Sequence, residues 1–167
     1  MKMKNSLVQN QEFVLKIGEL SEILNTTPNV IRQYEALGII SPNRTEGGTR
    51  LYAKNDLERI RVALKLIRVG IDIETVQSLA TTRELYPTGQ EASTAMLPKI
   101  EDLRSKISSL MNELIELNQD LDRAGVLIMQ CLECKNAPNR KHCPECPVDK
   151  NIHLTSIARL VWDPECP

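Results

Sequence analysis

From Lys16 the apolar positions recur at helical spacing. Ile17, Leu20, Ile23 and Leu24 fall on one face at three- and four-residue steps. Asn25-Thr26-Thr27-Pro28 interrupts that pattern. Thr27 suits a helix N-cap, and Pro28 suits the first helical position, where a missing N–H is harmless. Val30, Ile31, Tyr34 and Leu37 continue an apolar face, which Gly38 stops. Two short helices across a tight turn predict a helix-turn-helix. Pro42, Asn43 and Gly47-Gly48 are turn residues, and the short apolar pieces beside them predict a small β-ribbon. Lys54 to Val69 is helical again, with Leu57, Ile60, Leu64 and Ile67 inward, and Gly70 breaks it. Asp72 predicts the cap of a further helix through Ala80.

Residues 81–94 are polar, contain Pro87 and Gly89, and predict a linker. Beyond them the pattern changes. Ile100, Leu103, Ile107, Leu110, Leu114, Leu117 and Leu121 alternate steps of three and four, and Ala124 and Ile128 extend the series. That is a heptad seam, which predicts a helix over 95–129 with another helix packed along it. Pro138, Pro144 and Pro147 rule out a continuous helix beyond, and a short apolar tail runs from Ile152 through Trp162. The tail is too short to enclose a ligand cavity by itself, so packing is its expected role.

Composition fits a mainly helical protein. Aromatic residues make up only 3% of the 167 residues, while 26% are charged. No apolar stretch approaches the ~18 residues of a membrane span, and the N-terminus lacks the apolar core of a signal peptide. The expected location is the cytoplasm, where thiols stay reduced and paired cysteines favour metal or redox chemistry over structural disulfides.

The net charge of -1 conceals a division. Residues 32–70 carry +4 and residues 71–133 carry -6. A basic block is the electrostatic footprint expected for phosphate, although an isolated run of this size serves equally as a solvated helix face. The acidic stretch coincides with the heptad helix and reads as its solvated side.

The cysteines add chemistry. Cys131 and Cys134 form one C-x2-C pair, and Cys143 and Cys146 form another eight residues on. Two such pairs set four sulfurs around one tetrahedral zinc ion, with Lys135, Arg140 and Lys141 offsetting the thiolate charge. The same four thiolates suit an iron–sulfur cluster, or reversible disulfides without metal. Cys166 reads as an unpaired tail thiol, and His142 and His153 as loop or packing residues.

Six short motifs in order carry a family resemblance: Ile17-Gly18-Glu19-Leu20, Val30 to Glu35, Leu37 to Pro42, Arg44, Gly48 to Tyr52, and Asp56 to Ile60. Together they resemble the DNA-binding domain of the MerR family of transcription regulators. The resemblance implies a winged helix-turn-helix over 14–80, an antiparallel coiled-coil dimer through 95–129, and a sensing segment over 130–167. It implies Arg32 and Tyr34 facing the operator, Arg44 and Arg50 gripping the DNA backbone, and Tyr52 holding a phosphate or bracing the wing. From the residues themselves, the lesser reading of Tyr34 and Tyr52 is core or hinge packing, and that of Arg32 an ion pair with Glu35 one turn on.

The implied partners are double-stranded promoter DNA, a second copy of the chain, and RNA polymerase at the promoter. Activators of this kind bend and untwist the DNA between two half-sites. Gln33 and Gly48-Thr49 depart from common members and leave the operator and the sign of regulation open. One branch senses redox through an iron–sulfur cluster after the long helix, with cysteines more tightly clustered. Metal-sensing branches place a Cys before that helix, where this chain has none. No Ser/His/Asp set, phosphate loop or carboxylate pair suggests an enzyme.

Overall fold

The structure, a computed structural model, describes residues 14–137, 142–143 and 146–162. Arg140, Lys141, the Trp162 side chain and Cys166 lie outside the described residues. The chain divides into two compact units between Leu103 and Arg104.

The first unit opens with β1 (Val14–Leu15), α1 (Ile17–Leu24) and α2 (Pro28–Ala36). The predicted cap forms: the Thr27 hydroxyl accepts from the Val30 N–H at 3.4 Å, with Pro28 beginning the helix. Gly38 follows α2 with φ +71°, a left-handed conformation that favours glycine. The wing is β2 (Asn43–Arg44) and β3 (Arg50–Ala53), paired antiparallel with Arg44 opposite Arg50. Gly48, at φ +79°, makes the turn between them. The ribbon differs in detail from expectation. Ile39 and Ile40 enter the core instead of a strand, and β1 joins β3 on its other edge.

The helix α3 (Lys54–Arg68) starts where the Asp56 carboxylate accepts from the Ala53 N–H at 2.9 Å. Asp72 caps α4 (Ile73–Thr81) through the Thr75 N–H at 2.7 Å. Leu20, Ile31, Tyr34, Ile39, Tyr52 and Ile60 form the core that these elements share.

The expected linker is largely regular structure. A 3-10 turn occupies Thr82–Leu85, and α5 runs from Gly89 to Met129, beginning inside the segment 81–94. Thr88 and Glu91 explain the start. The Thr88 hydroxyl accepts from the Glu91 N–H at 3.2 Å and bonds its carboxylate at 3.0 Å. This is the S/T-x-x-E capping signature. It outweighs the helix-breaking character of Gly89, and Pro98 is carried inside the helix.

Along α5 much of the heptad seam is exposed, while Leu103, Ile107 and Leu110 are half-buried and Ala124 is buried. Ile100, Leu114, Leu117 and Leu121 are about half exposed or more, as are Met111 and Ile115. In the second unit, α5 is followed by a turn at Cys131–Cys134, then α6 (Pro147–Asn151), a 3-10 turn (Ile152–Leu154) and α7 (Ser156–Trp162). Ala124, Leu127, Val148 and Ala158 are its buried core, with Cys131, Cys146, Ile152 and Ile157 packed against it. Among the described residues no helix is long and apolar enough to cross a membrane.

Candidate nucleic-acid interface and cysteine cluster

The basic block is distributed over α2, the wing and α3. Arg32 is exposed on α2 and bonds Asn29 Oδ1 at 3.0 Å, so the local pair with Glu35 does not form. Glu35 turns instead to the wing. Its carboxylate accepts Arg50 Nε through both oxygens, at 2.6 and 2.9 Å, and Arg44 Nη2 at 3.2 Å. Arg44 and Arg50 stay 52% and 36% exposed while Glu35 is 19% exposed. The hydrogen bond and charge of Glu35 raise the Arg50 pKa further, so this guanidinium is permanently cationic. Lys54, Arg61, Lys65 and Arg68 are exposed on α3.

The tyrosines sit elsewhere. Tyr34, expected at the operator, has its side chain in the core at 3% exposure. Burial raises its pKa, with the Arg68 charge opposing. Its ring therefore fixes α2 against the domain. Tyr52 is fully buried, and its hydroxyl has no hydrogen-bond partner among the described residues. Burial pushes the Tyr52 phenol up, and the Glu35 carboxylate adds to this, against Arg50 and Arg32. The phenol is thus neutral beneath the face that carries the arginines.

Arg59 has a role that charge counting does not reveal. Its Nε donates to the Ile39 carbonyl at 2.7 Å and its Nη2 to the Ala80 carbonyl at 3.0 Å. One guanidinium thereby joins the root of the wing to the end of α4. Gln77 makes a parallel tie, donating to the Leu37 carbonyl at 3.1 Å.

In the second unit each cysteine pair is closed by a turn. The Cys134 N–H donates to the Cys131 carbonyl at 3.0 Å, and the Cys146 N–H to the Cys143 carbonyl at 3.1 Å. Cys146 begins α6, where its sulfur accepts from the Asp149 N–H at 3.3 Å. Cys131 and Cys146 pack on the same small core. Burial pushes the Cys131 thiol up, and the neighbouring thiols of Cys146, Cys134 and Cys143 act in the same direction. All four thiols are free, and among the described residues no three Cys, His, Asp or Glu side chains converge at ligating distance. The donor set fits a soft, thiophilic ion in ligand type and number.

Residues 15–82 match the MerR HTH family regulatory protein. The transcriptional regulator ZntR of Escherichia coli is 30% identical over 100 residues, 58% of this chain and 71% of that protein. The chain belongs to the MerR family. The mercuric resistance operon regulatory protein of Bacillus cereus is 28% identical over 146 residues, 82% of the chain and 96% of that protein. Among solved structures, the MerR regulator HiNmlR bound to promoter DNA matches with a TM-score of 0.60 at 16% identity, covering 71% of this chain and 89% of that one. The likeness extends to the fold.

As a MerR-family protein, the chain is a DNA-binding transcription regulator and its relatives are regulators, not enzymes. Within that family frame the sequence reading named the wing arginines but missed Glu35 as their common partner. The signal was weak. Glu35 lies 15 residues from Arg50, while Arg32 stands at helical contact distance and competes for it in any local reading. Arg59 falls in both the positive block and the Asp56–Ile60 motif, neither of which shows that its nitrogens bind two carbonyls.

Proposed function

We propose that this MerR regulator works as a homodimer, paired antiparallel through the seam of 95–129, and holds two half-sites of promoter DNA. The observation that carries the reading is the exposed set of Arg32 on α2 with Arg44 and Arg50 on the adjoining wing. Arg32 reaches base edges or phosphate from α2, and the wing arginines take backbone phosphates. Tyr34 and Tyr52 support this face from beneath. The half-exposed Leu114, Leu117 and Leu121 support the pairing, because a seam of this spacing needs an apolar partner.

The signal enters at Cys131, Cys134, Cys143 and Cys146. Zinc is the favoured ion, in keeping with the donor set and with the metal-related names of the relatives ZntR and the mercuric resistance regulator. Cys131 and Cys134, in the turn after α5, and Cys143 and Cys146, before α6, would hold the ion, which would supply a cross-link between those two stretches. The regulator's response is a change in the twist and bend of the DNA between half-sites. Such deformation costs several kcal/mol, offset by phosphate contacts from both protomers. RNA polymerase is the partner at the promoter.

Selection of duplexes from a random-sequence library by the full-length protein tests the first part. A dyad of two half-sites is expected, footprinted by one dimer, and Arg50→Ala weakens it with a shallower salt dependence. Recovery of no sequence, or of a single half-site bound by a monomer, overturns the reading. Metal analysis of reduced protein tests the second. A colourless protein with about one zinc per chain is expected. A brown protein with visible absorbance assigns the cysteines to an iron–sulfur cluster instead.

A further inference from the structure

Both wing arginines meet one carboxylate, and that carboxylate belongs to α2. Arg50 approaches side-on with Nε, and among the described residues its terminal nitrogens bond nothing. Arg44 gives Nη2 alone. Each guanidinium is therefore held by one edge with its other edge available. We propose that Glu35 is a positioning residue for DNA binding, which presets Arg44 and Arg50 relative to Arg32 so that helix and wing take the DNA backbone in one register. The proposal rests on the reading of this face as the one that meets DNA.

Three considerations support it. First, arginine is a flexible side chain that surrenders much rotamer freedom when it clamps a phosphate. Two arginines already held by Glu35 have surrendered that freedom before DNA arrives. Second, the ion pairs are partly exposed, with Arg44 at 52% and Arg50 at 36%. Pairs of that kind contribute little to folding stability, so stability alone gives no reason for two cations on one anion. Third, one carboxylate serves two guanidinium groups, so the cluster keeps a net positive charge toward phosphate. The chain link between the two elements, residues 37–42, carries Gly38 at φ +71°. Glu35 adds a side-chain tie across that link, from α2 to both strands β2 and β3.

The test compares full-length wild-type protein with Glu35→Gln, which keeps shape and removes charge. Two probes are used: the duplex that the protein enriches most from a random-sequence library, and poly(dI-dC). For the enriched duplex a loss of about tenfold or more is expected. For poly(dI-dC) affinity is expected to hold or rise, with a salt slope steeper by about 0.9 for each guanidinium freed to find a phosphate. The specificity ratio therefore falls while the melting midpoint holds.

Arg50→Lys keeps the charge but loses the side-on clasp. It is expected to lower the same ratio, and it stands in if Glu35→Gln melts early. The proposal is overturned if neither variant changes the ratio, or if both probes weaken by the same factor, as simple loss of folded protein requires. The double change Arg44→Ala with Arg50→Ala separates the two levels. If it leaves both probes and both salt slopes as in the wild type, the face itself does not meet DNA. If it weakens both probes but Glu35→Gln leaves the ratio intact, only the role of Glu35 fails.

Discussion

In residues 14–103 the charged side chains rest on large buried residues, among them Leu20, Ile31, Tyr34, Tyr52 and Ile60. In residues 104–162 the thiols rest on Ala124, Leu127, Val148 and Ala158, a core made mostly of small side chains. Burial of a large side chain contributes about 1.5–3 kcal/mol, and alanine contributes far less. The first unit therefore has an apolar core large enough to fix the backbone on which Glu35 holds Arg44 and Arg50. The second sets Cys131 and Cys146 on a smaller apolar core, and small cores of this kind gain most from a staple such as the metal proposed above. The larger apolar core thus lies under the arginines and the smaller one under the thiols.

Metal removal is the largest way to break this contrast. Structural zinc in small peptides contributes an apparent ~10–16 kcal/mol at neutral pH, so on the zinc reading proposed above its removal should melt the cysteine segment. Chelation under reducing conditions is expected to abolish amide-exchange protection over residues 131–162 and leave residues 14–80 protected. Unchanged protection in both regions would show that the small core suffices without an ion.

Core truncation probes the opposite side. Ile31 is fully buried, and Ile31→Ala is expected to destabilise the first unit by about 2–5 kcal/mol in denaturant titration. Val148→Ala, at a site 1% exposed, removes less volume and should cost about 1–3 kcal/mol, with melting confined to the tail. Equal loss at both sites, spread over the whole chain, would mean that the two units fold as one.

How far the sequence revealed this contrast depends on the range of each interaction. The seam from Ile100 to Leu121 was legible because its signal is a local period. Thr27-Pro28 and Asp72 were legible because caps act within three residues. The Thr88–Glu91 cap was equally local, but Gly89 and Pro98 drew the reading toward a linker. Tyr34 and Tyr52 were ambiguous for a physical reason: a phenol suits a core or a surface, and only tertiary packing decides. The Glu35–Arg50 and Arg59–Ala80 bonds join residues 15 and 21 positions apart, and no periodicity encodes them.

Tyr52→Phe is a smaller test. The Tyr52 hydroxyl is buried without a partner among the described residues, and an unmade hydrogen bond in the interior costs about 1–3 kcal/mol. Its removal is expected to leave the first unit as stable as before or about 1 kcal/mol more stable, with DNA affinity unaltered. A drop in affinity without loss of stability would mean that this hydroxyl reaches phosphate in the complex.

The smallest expected effect is confined to the tail and depends on pH. The Asp120 carboxylate on α5 accepts the Ile157 N–H of α7 at 2.8 Å and pairs with Arg123 at 3.2 Å. The Thr155 hydroxyl donates to the Asp120 carbonyl at 3.3 Å. The Ile157 N–H, together with Arg123 and Thr155, holds the Asp120 carboxyl below the usual carboxylate range. A lowered folded pKa means that the ionised group favours the docked α7. Its contribution is complete above the ordinary aspartate value of about 3.9 and is lost as pH falls through the lower folded value. The Ile157 amide should therefore keep its exchange protection and chemical shift from neutral pH down to that range, then lose both together. In Asp120→Asn the acid step should vanish and protection at neutral pH should be lower, because an amide oxygen carries no charge toward the first turn of α7. An acid step that persists in Asp120→Asn would move the titrating group elsewhere in the tail.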